Sequence, residues 1–259
     1  MKIEKEYSKE KFSCQRNELT IRGHVWGRGA APKPAVILSH GFLANEKMCH
    51  TYAKLLAELG YVTFTFDFCG GGLGSRSDGK SENMTLLTEK ADLLAVIDYV
   101  KKCPYVDSAH ISLLGCSQGG FVSALAAKEL QDEIENLLLF YPALCIPDDA
   151  RQGKMLFFQF DPADIPDILG RFPMKLGGEY ARCVIHMNPF EEIAGYNGRT
   201  LYLHGTADEI VDISYARTAK ALYPNCRYEE IENGGHMFRG KQDKAACDIL
   251  KEFMALLHT

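Results

Sequence analysis

Apolar residues in this chain gather into short near-continuous runs, separated by stretches where they recur every three or four positions. The runs are AVILSHG (35–41), YVTFTFDF (61–68), HISLLG (110–115), NLLLFYPA (136–143) and TLYLHG (200–205). They are near-continuous and short, the pattern of strands covered on both faces in a parallel sheet. A further strand is predicted over Cys226–Ile231. Between them, Met48, Tyr52, Leu55, Leu56 and Leu59 share one helical face, as do Leu86, Leu87, Leu93, Leu94, Ile97 and Val100. Near the C-terminus Leu250, Phe253, Met254 and Leu257 repeat the pattern. Alternation of strand and helix predicts an α/β fold with a mostly parallel central sheet, flanked by helices and joined by right-handed crossovers. The first thirty residues suggest antiparallel strands at the sheet edge, turning at QRNEL.

One region breaks the rhythm. Residues 144–195 hold five of the ten prolines and several aromatics, among them Phe157, Phe158, Phe160, Phe172, Tyr180 and Phe190, with no clear period. A long aperiodic stretch inside a compact domain is usually functional or disordered, and the aromatic content argues against disorder. It is expected to be a lid inserted over the carboxyl ends of the strands, where open α/β sheets bind ligands. With no repeat, low-complexity tract or linker, residues 1–259 are expected to form a single domain carrying this lid.

Gly115-Cys116-Ser117-Gln118-Gly119 matches G-x-S-x-G between a predicted strand and an alanine-rich helix. This is the setting of a nucleophile elbow, a tight strand-to-helix turn that lifts the serine clear of the backbone. A serine hydroxyl needs a base. His236, in the glycine-flanked loop ENGGHMF after the last predicted strand, suits that role, whereas His40 and His204 sit at strand ends and are expected to shape loops. The orienting acid should lie between serine and histidine in the chain. HGTADEIVD (204–212) offers Asp208, Glu209 and Asp212 there. Asp208 lies closest to the strand end, and Asp212 suits the cap of the next helix. Asp208 would fix the tautomer of His236 and stabilise its imidazolium. Backbone N–H groups of Gln118 and, from the SHGF loop (39–42), Phe42 are the expected oxyanion donors. Cys116, beside the nucleophile position, is expected to be a packed thiol.

GSRSDGKS (74–81) also satisfies the P-loop expression. A P-loop requires a strand running straight into the first glycine and a helix opening at the Lys-Ser. Here the strand ends near Phe68 and helical periodicity resumes only around Leu86, so nucleotide binding is not expected.

With these residues in order, the chain resembles α/β-hydrolase serine esterases, and within them the bacterial cinnamoyl (feruloyl) esterases. The resemblance runs from about residue 20 to the C-terminus through HGFLANE, FDFCGGGLGSRSDGKSENMT, GCSQGG, YPA, LGGEYAR, HGTADEIV and NGGHMF. It assigns Ser117 as nucleophile, His236 as base, Asp208 as acid, and Phe42 and Gln118 as oxyanion donors. It implies hydroxycinnamate esters as substrates, an aromatic acyl site under the lid, and a homodimer. By position after YPA, Asp149 is the match to a lid aspartate that contacts the phenolic hydroxyl, with Asp148 next to it. Cys116 replaces the histidine common before the serine, and Cys69 replaces a polar or basic residue. KMLFFQF makes the lid rich in phenylalanine, adding Phe157, Phe158 and Phe160 to the expected acyl contacts. Short- or medium-chain esters, amide substrates, and a catalytically silent ligand receptor on the same scaffold remain open alternatives.

Composition narrows the rest. A net charge of −5 over 259 residues gives no electrostatic case for nucleic acid or an anionic membrane. No apolar stretch is long enough to span a bilayer, and MKIEKEYSKEKF has no signal-like apolar core. Nine scattered cysteines with no C-x-x-C pair suit free thiols in a reducing cytoplasm rather than a disulfide scaffold or zinc site. No metal or dinucleotide cofactor is expected.

Overall fold

The computed structural model of the protein describes residues 8–255. The antiparallel hairpin β1 (Lys9–Arg16) and β2 (Leu19–Trp26) leads into β3 (Lys33–Ser39), β4 (Val62–Asp67), β5 (Val106–Cys116) and β6 (Asn136–Phe140). After the 144–195 segment come β11 (Arg199–Gly205) and β12 (Cys226–Ile231), that segment holding β7 (Lys154–Met155), β8 (Phe158–Gln159), β9 (Ile168–Gly170) and β10 (Leu176–Gly177). The main sheet has eight strands in the order β1-β2-β4-β3-β5-β6-β11-β12. Every pair from β4 to β12 is parallel, and β2 meets β4 antiparallel.

The near-continuous apolar runs have a direct structural cause. Every residue of β4 and β6 is buried, and successive side chains go to opposite layers. In β3, Ala35 and Ile37 join the layer beneath α2 (Leu86–Lys101) and α3 (Gln118–Glu129), while Val36 and Leu38 join the layer beneath α1 (His50–Glu58) and α8 (Lys241–Ala255). In β6, Leu137 and Leu139 face one way, Leu138 and Phe140 the other. The helical faces are formed as the periodicity predicts, with two departures. Leu87 is exposed on α2, and Met48 lies in a 3-10 turn, Glu46–Cys49, that precedes α1. Leu257 lies outside the described residues, as do the first seven residues of the N-terminal segment.

The 144–195 segment is not structureless. It contains α4 (Ile146–Arg151), the ribbons β7–β8 and β9–β10, α5 (Glu179–Val184) and α6 (Pro189–Ile193). None of these elements exceeds six residues, too short for a hydrophobic period to register in sequence. α7 (Ile213–Ala219) then crosses to β12. No helix among the described residues is long and apolar enough to cross a membrane.

The stretch matching the P-loop pattern runs as a loop from β4 to a lone 3-10 turn at Ser81–Asn83. Its side chains bind the sheet edge. Asp78 accepts the Thr20 N–H at 2.9 Å and pairs with Arg22. Ser77 Oγ accepts the Arg22 N–H at 2.8 Å. Arg76 reaches buried Glu46 (Nη2 to Oε1, 2.7 Å) and Asp67. Glu46 also accepts from Thr65 Oγ1 at 2.7 Å, and its own N–H donates to Asp67 Oδ1 at 2.8 Å. Burial pushes the Glu46 carboxyl up, but the hydrogen bonds from His50 and Thr65, with His24 and Arg76 nearby, outweigh it and hold the pKa at about 2.

Leu138→Ala, at the centre of the sheet, is expected to lower the free energy of unfolding by about 2–5 kcal/mol, and Leu87→Ala by less than about 0.5 kcal/mol. Chemical denaturation midpoints check both. Because the folded pKa of Glu46 lies below its unfolded value, its contribution is full above the unfolded value and is lost as pH falls towards the folded one. The denaturation midpoint of the wild type should therefore fall more steeply between about pH 5 and pH 3 than that of Glu46→Gln.

Candidate active site

Three loops at the carboxyl ends of β3, β5 and β11 and one after β12 converge on Ser117. The serine links β5 to α3 with φ 55° and ψ −124°, a backbone conformation that side chains rarely adopt. Two glycines permit the turn. A Cβ on Gly115 would lie 2.2 Å from the Gly119 carbonyl oxygen, and one on Gly119 would lie 2.4 Å from those of Ser39 and His40. The Ser117 N–H donates to the Phe140 carbonyl at 3.0 Å, and its carbonyl accepts from Ala143 at 3.0 Å, so β6 holds the turn from below.

Ser117 Oγ lies 2.8 Å from His236 Nε2, and His236 Nδ1 lies 2.9 Å from Asp208 Oδ2. The other Asp208 oxygen accepts the N–H groups of Ile210 and Val211, both at 2.9 Å. Burial pushes the Asp208 carboxyl up, but the hydrogen bond from His236 and those from the two amides prevail and leave it below the usual carboxylate range. The aspartate is therefore ionised against an imidazole whose far nitrogen faces the serine. His204 stands behind it, donating from Nε2 to the Val211 carbonyl at 2.9 Å, and its burial lowers its pKa and keeps it neutral. His40 likewise shapes a loop, donating from Nδ1 to the Gly41 carbonyl and accepting the Phe68 N–H at Nε2. Asp212 caps α7 through the Ser214 N–H at 2.8 Å, and Glu209 is exposed.

Gln118 opens α3, where helix geometry leaves its N–H without an intrahelical acceptor and adds the positive end of the helix dipole. The loop after β3 lies over Ser117: a Cβ on Gly41 would be 3.0 Å from the serine Cβ. Leu43, at φ 61°, bridges to Gly72, and the Leu73 N–H donates to the Leu43 carbonyl at 3.2 Å. Phe42 is thereby pinned beside the nucleophile.

A cavity of about 410 Å³ opens onto Ser117, His236, Gln118 and Phe42. Its far wall comes from the 144–195 segment: Cys145, Ile146, Asp149, Met155, Phe157 and Tyr180. Phe157 lines it, with much of its ring in solvent, whereas Phe158 and Phe160 do not. The Phe158 ring packs where a Gly170 side chain would stand, within the insertion itself. Of the two neighbouring acids, Asp149 faces the cavity. Asp148 is held by Tyr215 Oη and Arg151. Burial raises the Asp149 pKa, with Lys154 Nζ at 4.0 Å opposing. Sequence reasoning missed Met48, Tyr180, Ile210 and Met237 as wall residues; the last two stand next but one or next to Asp208 and His236, which was the available signal. A second, open hollow of about 450 Å³ lies across His236, with Glu209, Asn233, Arg239 and Gln242 in its walls.

One group of metal-capable side chains occurs among the described residues, His24, Glu46 and His50, none of which lines the cavity at Ser117. The Arg76 guanidinium sits on its carboxylate, so a cation already balances that charge. Cys116 is fully buried directly before the nucleophile, as a packed thiol.

Residues 30–170, more than half of the chain, match the family model described as serine aminopeptidase, S33. Among curated relatives, the uncharacterized protein YcjY of Escherichia coli K12 is 39% identical over 94 residues, 36% of this chain and 30% of YcjY. Monoglyceride lipase of Rattus norvegicus is 32% identical over 154 residues, 56% of this chain and 48% of the lipase. The matched stretches thus span less than half of either relative. Est1E from Butyrivibrio proteoclasticus, solved with ferulic acid bound, superposes with a TM-score of 0.84 at 31% identity, covering 94% of this chain and 98% of that one. A family match over residues 30–170, which include the serine turn, joined to an end-to-end likeness to Est1E, means that the chain belongs to the serine aminopeptidase S33 family, with the α/β-hydrolase fold and a resemblance to the cinnamoyl esterases.

Proposed function

We propose that this protein hydrolyses carboxylic esters through an acyl-enzyme formed on Ser117, with hydroxycinnamate esters as its substrates. The observation that carries this reading is the unbroken hydrogen-bonded path from Ser117 Oγ through His236 to Asp208, opening into an apolar cavity with a single carboxyl group on its far wall. Ser117 Oγ attacks the ester carbonyl as His236 Nε2 takes its proton, and ionised Asp208 stabilises the imidazolium. The N–H groups of Phe42 and Gln118 hold the negative oxygen that develops, each such donor being worth about 3 kcal/mol in the transition state. His236 returns the proton to the departing alcohol, which leaves on the side of the polar hollow lined by Glu209 and Arg239. Water, deprotonated by the same imidazole, then releases the acid.

The cavity supports the acyl assignment. Phe42, Ile146, Met155 and Phe157 suit a planar apolar group, and Asp149 suits a hydroxyl at its far end. The raised pKa of Asp149 makes it a stronger acceptor for a phenolic proton. The likeness to Est1E, whose structure contains ferulic acid, points the same way. A second reading rests on the same walls: flexible Met48, Met155 and Met237 also accommodate an aliphatic acyl chain, which would make short- or medium-chain esters the substrates.

The ratio of kcat/KM for methyl ferulate to that for ethyl butyrate separates the two. A ratio well above one is expected, and Ser117→Ala should lower kcat by a factor on the order of 10⁶. A ratio below one that still depends on Ser117 would retain the esterase and replace the acyl assignment. Asp149→Asn is expected to reduce methyl ferulate turnover by about tenfold, the scale of one charge-assisted hydrogen bond. Methyl cinnamate, which lacks the hydroxyl, should be nearly unaffected by that substitution.

A further inference from the structure

Behind the proposed oxyanion donors lies a buried acid that the mechanism does not use. Glu89 stands on the inner face of α2, in line with Leu86 and Leu93, and is 1% exposed. Its Oε2 accepts the side-chain amide of Gln118 (Nε2) at 2.6 Å. The carbonyl of that same amide accepts the hydroxyl of Tyr180, itself buried. Glu89 Oε1 has no hydrogen-bond partner and lies against the backbone of Gly71, where an added Cβ would be 2.7 Å away.

Each of these neighbours touches a different part of the site. Gln118 supplies one oxyanion N–H. Gly71 adjoins Gly72, which bridges to Leu43 and packs so tightly on Ala44 that a Cβ there would lie 1.5 Å from its carbonyl oxygen. That contact supports the loop bearing the other N–H, at Phe42. Tyr180 forms part of the cavity wall, and its ring lies 5.8 Å from that of Phe42. A leucine at position 89 would fill the inner face of α2 at no electrostatic cost, whereas a buried carboxyl must be desolvated. Burial, with Asp92 adding its charge, raises the Glu89 pKa well above the usual value against the hydrogen bond from Gln118, and so favours the neutral acid.

We infer that Glu89 is a positioning residue for the oxyanion hole: through the Gln118 carboxamide and Gly71 it braces both donor peptides, and through Tyr180 it ties them to the wall of the acyl cavity. The inference rests on the acyl-enzyme reading above. An acyl group pressing on Tyr180 is then felt at Gln118, so a well-fitting acyl group is expressed in kcat more than in KM.

The test compares wild type, Glu89→Leu, Glu89→Gln and Tyr180→Phe, each normalised by titrating Ser117 with a fluorophosphonate. Two rates are read: steady-state turnover of p-nitrophenyl butyrate, and the second-order rate of Ser117 phosphonylation, which uses the same donors without any ester. Glu89→Leu should lower kcat and the phosphonylation rate by roughly ten- to a hundredfold with KM nearly unchanged, the scale that an ångström of misplacement costs. Glu89→Gln, which keeps an acceptor for Gln118, should stay within about threefold of wild type, and Tyr180→Phe should fall between them. Equal rates per titrated serine in Glu89→Leu, even with a lowered melting temperature, would overturn the inference and leave Glu89 a structural residue. So would a loss in Glu89→Gln as large as in Glu89→Leu. If Glu89→Leu does not fold, Tyr180→Phe decides, since an unchanged kcat there breaks the proposed tie. Failure of the esterase reading is distinguishable: wild type would then be phosphonylated at Ser117 without turning over esters.

Discussion

The turn at Ser117 is the constraint on which the rest of this structure depends. A non-glycine residue at φ 55° is strained, and it persists only where the surroundings leave no alternative. Here β5 enters from below, α3 leaves from above, and the serine is bonded on both its backbone groups to the chain around β6. The room for this is made by what is missing: side chains at 115 and 119, either of which would occupy the space of a neighbouring carbonyl. From that point follow the exposure of Oγ to His236, the free N–H of Gln118, and the close approach of the Phe42 loop. On either side of β5, β6 is wholly buried and β3 is buried from Ala35 to Ser39, which gives the turn a rigid base.

Electrostatics divides the ionisable groups around this turn by what each can bond. Asp208 is enclosed, yet it collects two backbone amides and an imidazole N–H and stays charged. His204, a few residues away and also buried, has its pKa lowered by that burial, against the raising effect of its own N–H bond to the Val211 carbonyl. Glu46 is held charged by its hydrogen bonds from His50 and Thr65, with His24 and Arg76 adding to them. Glu89 is pushed towards its neutral form by burial that the Gln118 hydrogen bond does not offset. Burial penalises the charged form at each of them, and the partners decide whether that penalty is outweighed.

The 144–195 segment gives the site its breadth. The sheet and its loops supply Ser117, His236 and Asp208 with the same spacing that many ester chemistries could share, while the far cavity wall comes from short elements after β6. Their anchoring differs along the segment. Tyr180 is tied by its hydroxyl into the protein interior, whereas Phe157 keeps much of its ring in solvent. The cavity wall thus carries one fixed and one exposed aromatic.

Much of this was legible in the sequence. Strands buried on both faces lose polar alternation, so AVILS and NLLLF announced the parallel sheet directly, while VTFTFD keeps Thr63, Thr65 and Asp67 among its apolar residues although all six are buried. Glycine flanked Ser117 because backbone atoms fill the positions of its side chains. The order of Ser117, Asp208 and His236 was readable because each follows a recognisable strand. The insertion was visible only as an interruption, since elements of two to six residues carry no period. Which of its aromatics face the cavity depended on how ribbons and helices pack: Phe157 points in, Phe158 covers Gly170, and Tyr180 arrives from the far end of the segment. The contact of Glu89 with Gln118, across 29 residues, had no local signature at all. Sequence by itself determined what depends on neighbours along the chain, namely burial, turns and the order of reactive groups; the tertiary structure alone decided which distant side chains share a cavity and which buried acid keeps its proton, because both depend on atoms brought together only by packing.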